Sequence, residues 1–183
     1  MNLIRLSNNS LNLSLTLKLF LVSHHLRILA SLNKMTFKQK IHAHYLLLVQ
    51  DRMDVFRDMI SGLTEDSKND AKGSAGDKHE TALSMMHLEQ EKLNRKLAEV
   101  LDQKAVLDKI NPEICSETIS LGSLVKANGI YLYLSLALPK INIEGVNVIA
   151  LSPQSPLGNK LMGNKVGFTF EINGTKYLIE EIS

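Results

Sequence analysis

Residues 77–109 read DKHETALSMMHLEQEKLNRKLAEVLDQKAVLDK, and the architecture of the whole chain turns on them. Leu83, Met86, Gln90, Leu93, Leu97, Val100, Lys104 and Leu107 follow one another at alternating three- and four-residue steps. That is a heptad seam with two polar members. Glu89, Glu91, Lys92, Arg95, Lys96, Glu99 and Asp102 fall between them and supply a solvated face. So narrow an apolar stripe predicts a helix that pairs with one other helix rather than covering a broad core.

A partner stands upstream. From about Thr36 to Gly62, the residues Phe37, Ile41, Tyr45, Leu48, Val55 and Met59 recur at helical spacing. Arg52 interrupts this seam, and Asp51, Asp54, Arg57 and Asp58 give it a polar face. The stretch TEDSKNDAKGSAG, residues 64–76, has almost nothing to bury and reads as a loop. Two helices joined by that loop should pack antiparallel and extend about 40 to 50 Å. The loop would sit at the far tip, and Pro112 would end the second helix back at the base.

Beyond Ile119 the pattern changes to runs rich in Ile, Val, Leu and Tyr, with turn signals at Asn128-Gly129, Pro139 and Glu144-Gly145. These predict three or four strands. In SPLGNKLMGNKVG, residues 155–167, Ser155 can cap a short helix, Pro156 suits its first position, and Gly163 ends it. VGFTFEINGTKYLIEEI then reads as a hairpin turning at Asn173-Gly174. The expected organisation is a hairpin over 35–111, a linker over 112–118 and a β-rich domain over 119–183.

The 183-residue chain is 44% hydrophobic and 22% charged, ordinary for a water-soluble protein. It has no tryptophan and few aromatics, so no base-stacking platform is advertised. Its single cysteine, Cys115, excludes a disulfide or a cysteine-based zinc site within one chain. Residues 1–34 carry four bases and no acid, and their leucine-rich run is split by Lys18 and followed by His24, His25 and Arg27. They lack the length of apolar sequence a membrane span needs and show no small-residue cleavage site. They are read as an extension outside the fold, non-native or disordered, with Met35 the expected start. Without those four bases the net charge of +2 becomes −2, which is no nucleic-acid signature. A cytoplasmic protein with no membrane contact is expected, and a monomer, because the two seams satisfy each other.

Candidate chemistry gathers at the loop. Asp77 and Glu80 stand three apart just before the second seam, the spacing of a capping box. Two carboxylates on the tip of an arm cannot make a pocket of their own, but they could be inserted into a partner's. Oxygen ligands of this kind suit Mg²⁺, which needs only one or two protein carboxylates. Two such ions close together can activate a water and stabilise a leaving oxygen on phosphate. One acid can cap while the other reaches, so both readings stay open. Glu65, Asp66 and Asp70 are nearby loop acids that read as solvation. His42 and His44 lie two apart on a helix and face different directions, while His79 and His87 lie eight apart, so no zinc site is expected. No phosphate-binding glycine loop and no nucleophile–base set is present in the sequence.

The stretches SAGDKHETALSMMHLEQEKL and LSPQSPLGNKLMGNKVGFTFEINGTKYLIEEI, with LGSLV at residues 121–125, resemble the Gre-type transcript cleavage factors. These are the GreA/GreB family of bacterial transcription elongation factors, and the resemblance covers roughly residues 36–183. It implies an α+β fold: a long antiparallel coiled-coil helical hairpin followed by a small FKBP-like β-rich domain. It implies a partner, RNA polymerase, whose secondary channel the hairpin enters, and through it the 3′ end of nascent RNA. The family's Gly-Asp-x-x-Glu setting is GDKHE here. Asp77 and Glu80 are therefore the expected site, assisting the polymerase's own hydrolysis of backtracked RNA by helping hold its Mg²⁺. No stably bound cofactor is implied, and the chain would be an accessory factor rather than an enzyme. Docking would fall to Ser152, Pro153, Ser155, Pro156, Leu157 and Gly158. The loop before Gly76 is longer and more polar than the family's usual tip, and Lys78, His79 and Thr81 differ from its usual tip residues. The alternative is a non-catalytic regulator that binds the same channel.

Overall fold

Helix α1 spans Phe37–Asp70 and α2 spans Asp77–Asp108. The structure is a computed structural model that describes the backbone of residues 35–70 and 77–183, and the side chains of 35–66 and 81–183. The extension over 1–34 and the loop residues 71–76 lie outside the described residues. A capping box opens α1: Gln39 N donates to Thr36 Oγ1 at 3.2 Å, and Thr36 N donates to Gln39 Oε1 at 2.7 Å.

Helix α1 passes through Gly62, its expected end, and takes in Thr64–Asp70 from the expected loop. Nothing in that segment breaks a helix: it holds no proline, and Gly62 is only a weak interruption. The Thr64 hydroxyl donates to the Ile60 carbonyl at 2.8 Å and accepts from Gln90 Nε2 of α2 at 2.9 Å. Lower down, Arg52 Nη1 donates to Gln103 Oε1 at 3.4 Å. The two helices therefore touch as an antiparallel pair.

That contact is not the expected coiled-coil hairpin. Among the described residues of α1 the buried apolar positions are Ile41, Tyr45, Val49 and Met53, four residues apart at every step. Each such step overshoots a full turn by about 40°, so the stripe winds around α1. A coiled coil needs an average step of 3.5 to keep one seam on its partner. Val55 and Met59, expected on the seam, are each 50% exposed. Among the described residues of α2 only Leu93, Val100 and Leu107 are buried, and Leu97 and Lys104, which lie between them, are half-buried. Nor does a separate small FKBP-like β-rich domain follow: residues Ile41–Ser183 form one compact unit that contains α1 from Ile41 onward, α2 and a six-stranded mixed sheet. The architecture is mixed α+β.

The strands are β1 (Leu124–Ala127), β2 (Ile130–Leu134), β3 (Ile141–Ile143), β4 (Val146–Leu151), β5 (Thr169–Ile172) and β6 (Thr175–Ile182). β1–β2, β3–β4 and β5–β6 are hairpins with two-residue loops, Asn128-Gly129, Glu144-Gly145 and Asn173-Gly174. Both residues of every loop have positive φ. That is the type I′ turn, whose twist matches the flanking strands and which favours Asn and Gly. The spatial order is β3-β4-β2-β1-β6-β5, with β2 and β4 parallel and the other neighbours antiparallel.

Side chains alternate across the sheet. On one face Val125, Ala127, Leu132, Leu134 and Leu151 join Ile119, Phe170, Ile179 and Leu161, the last from the short helix α3 (Pro156–Leu161). On the other, Leu124, Tyr133, Val148 and Ala150 are buried. Here α1 packs on the sheet. The rings of Tyr45 and Tyr133 stack at 6.0 Å with 3° between planes, His42 Nδ1 meets the Tyr133 hydroxyl at 2.8 Å, and Tyr45 donates to the Pro139 carbonyl at 3.2 Å. His42 is buried and His44 exposed, in keeping with their opposite directions on the helix.

Burial pushes the Tyr45 phenol from about 10 up to about 12, and pushes Tyr133 higher still with help from Tyr45. The folded state therefore holds both protons more tightly than the unfolded chain. Stability from these groups is fully present below pH 10 and is lost as pH rises through 10 toward 12 and beyond. We expect the urea midpoint to fall steeply across that window. The fall should be shallower in Tyr45→Phe; equal slopes would refute the assignment.

Candidate functional site

The two expected tip acids fall at the junction of the paired helices. Asp77 is the first residue of α2 and Glu80 stands in its first turn. Their side chains lie outside the described residues. About 37 Å of helix separates Asp70, the last residue of α1, from Tyr45, where α1 meets the sheet.

The expected docking residues form a tight turn leading into α3. Ser155 is the N-cap: its Oγ accepts from Gly158 N at 3.0 Å and donates to the Ser152 carbonyl at 2.7 Å. Pro156 occupies the start of the helix, where its missing N–H is not needed. Gly163, at φ +76°, follows the helix end. Ser152 Oγ accepts from Gln154 N at 3.2 Å and donates to Gln154 Oε1. Asn159 Nδ2 donates to the Gln154 carbonyl at 3.2 Å. The turn is thus locked by its own side chains.

Gly158 is the position that this lock depends on. A β-carbon there would lie 2.1 Å from the Ser152 carbonyl oxygen and 2.9 Å from Pro153 Cα. Both are backbone atoms, so the turn itself would have to open. Gly158→Ala should cost about 3 kcal/mol, the upper part of the range for forced overpacking. A urea midpoint matching the parent chain would show that the turn yields freely.

Beside this turn the sheet, α3 and the β5–β6 hairpin enclose a cleft of about 510 Å³. That volume is in the range of ligand and side-chain pockets. Its walls are mainly apolar: Ile130, Leu132 and Ile149 from the sheet, Leu157 from α3, and Ile172 and Tyr177 from the hairpin. Phe170 stacks on Tyr177 at 5.3 Å and holds that wall upright. The polar rim comes from Ser155, Lys160, Glu171 and Asn173, and the Lys160 ammonium donates to the Glu171 carbonyl.

Of the six docking residues expected from the sequence, Ser155, Pro156 and Leu157 line this cleft. Ser152, Pro153 and Gly158 stand behind them in the turn. Sequence reasoning missed the opposite wall. Ile130 and Ile149 read as ordinary strand residues, and only their exposure, 39% and 38% on a face that is otherwise core, marks them. Among the described residues no three His, Cys, Asp or Glu side chains gather as a metal site. No helix among them is long and apolar enough to cross a membrane. Cys115 is exposed in the segment after α2. The chemistry the cleft offers is recognition: apolar walls for an apolar side chain, with a few polar groups to orient it.

Compared with models of known protein families and with curated proteins, the chain matches none.

Proposed function

We propose that the chain is a Gre-type elongation factor that binds RNA polymerase and promotes cleavage of backtracked RNA. The observation that carries this reading is the place of Asp77 and Glu80. The two acids stand in the first turn of the second of two paired helices, while the first helix is anchored to the sheet near its other end. A carboxylate pair so placed can be presented to a partner, which the cleft and its locked turn would grip. The carboxylates would add oxygen ligands to Mg²⁺ held at the polymerase's catalytic centre. That ion supplies an activated water and charge stabilisation for phosphodiester hydrolysis.

The test is to add the full chain to a deliberately backtracked transcription complex containing Mg²⁺ and to follow the RNA 3′ end. Faster shortening of the RNA than without the chain is the expected result. Binding without shortening would favour the non-catalytic regulator. A chain that neither binds the complex nor shortens the RNA would overturn the proposal.

A further inference from the structure

The chain holds two Asn-Gly pairs, and the fold treats them differently. Both sit in type I′ turns with the same backbone geometry: Asn128 and Gly129 at φ 48° and 73°, Asn173 and Gly174 at 50° and 78°. Asn128 is tied at both ends of its amide. Its Nδ2 donates to the Lys176 carbonyl at 2.8 Å, and its Oδ1 accepts from Leu178 N at 3.0 Å. The next backbone nitrogen, Gly129 N, donates to Glu180 Oε2 at 3.4 Å. Asn173 has none of this. It is exposed at the tip of the β5–β6 hairpin, and among the described residues neither its amide nor Gly174 N has a hydrogen-bond partner. Glycine at the following position leaves the backbone nitrogen unhindered by a β-carbon.

We propose that Asn173 is a site of spontaneous covalent modification, deamidation through a cyclic imide, and that Asn128 is protected from it. Gly174 N attacks Asn173 Cγ. The new N–Cγ bond closes a five-membered imide, the Cγ–Nδ2 bond breaks, and ammonia leaves with the proton from Gly174 N. Solvent water then opens the ring at either carbonyl, giving aspartate or isoaspartate. At Asn128 the same attack must first break the bonds that hold the amide and engage the nucleophile. Losing even two of these three bonds slows the reaction by about tenfold or more.

The modification would alter the cleft, because Asn173 lies on its rim. Either product adds a carboxylate beside Glu171. Isoaspartate also inserts one carbon into the main chain of a two-residue loop, where the Ile172–Thr175 pairing leaves no slack.

The test is to age the full chain at mildly alkaline pH, native and in urea, and to quantify isoaspartate and aspartate at each site by peptide mass spectrometry. In urea the two sites should convert at similar rates, since the local sequence is Asn-Gly in both. In the native chain Asn173 should convert about tenfold or more ahead of Asn128, the ratio set by the hydrogen bonds at Asn128. Equal native rates, a faster Asn128, or an Asn173 that stays intact while the urea sample converts would each overturn the proposal.

Discussion

Replacing Asp77 and Glu80 together by alanine is expected to slow RNA 3′-end shortening on a backtracked complex by about a hundredfold or more. This follows from the proposed role: the chain's contribution to the reaction would be charge and oxygen ligands placed beside developing negative charge, and alanine supplies neither. Polymerase binding should survive, because docking is assigned to the Ser152–Gly158 turn and the cleft beside it. Alanine would also remove acids that favour the positive end of α2, an effect of about 0.3–1 kcal/mol each. The pair Asp77→Asn and Glu80→Gln separates the two roles. These residues keep size and hydrogen-bonding capacity but lose the charge, so shortening should fall as far as it does with alanine. Full activity in the amide pair would mean that the acids only start the helix.

Tyr133→Ala should lower stability by about 4 kcal/mol, as for other fully buried aromatic side chains. Tyr133 is fully buried in the middle of the sheet, and its ring lies flat on that of Tyr45, which is equally buried. Alanine would leave a ring-sized void between α1 and the sheet and take the hydroxyl from His42. Against a typical total of about 5–15 kcal/mol, that is a large share. Tyr133→Phe keeps the ring and removes only the bond to His42, so a loss of about 1–3 kcal/mol is expected. Urea denaturation of both variants decides it. If the two cost the same, the hydroxyl rather than the stacked ring would dominate this contact.

What the sequence made legible was local chemistry. Three turns were readable because positive φ at consecutive residues selects Asn-Gly and similar pairs. The short helix was readable because Ser155, Pro156 and Gly163 each satisfy a different requirement of a helix end. The long helices were readable as helices but not in their packing. Val55 and Met59 fit a heptad beat, yet the stripe through Ile41, Tyr45, Val49 and Met53 turns away from them. The continuation of α1 to Asp70 was invisible because the sequence of Thr64–Asp70 is polar throughout and carries no apolar periodicity, and helix bonds are independent of polarity. The contact of His42 and Tyr45 with Tyr133 joins residues some ninety positions apart, a pairing that no local pattern encodes. The same holds for the parallel match of β2 with β4, and so for the cleft wall formed by Ile130 and Ile149. The acids at the start of α2 were found by spacing and resemblance, and their role rests on the proposed partner.

The three turns also set the order in which the sheet can be built. Each closes a loop of two residues, so each hairpin can form within microseconds of its own accord. Read across the sheet, the order β3-β4, β2-β1, β6-β5 is three such hairpins laid side by side. Only two seams remain to be closed: β4 against β2 and β1 against β6. The second joins Val125 to Ile182, across a chain length whose closure entropy no local turn can offset. Within the sheet, folding must therefore bring prefabricated parts together, and of the two seams β1 against β6 closes the longer stretch of chain and costs the more entropy.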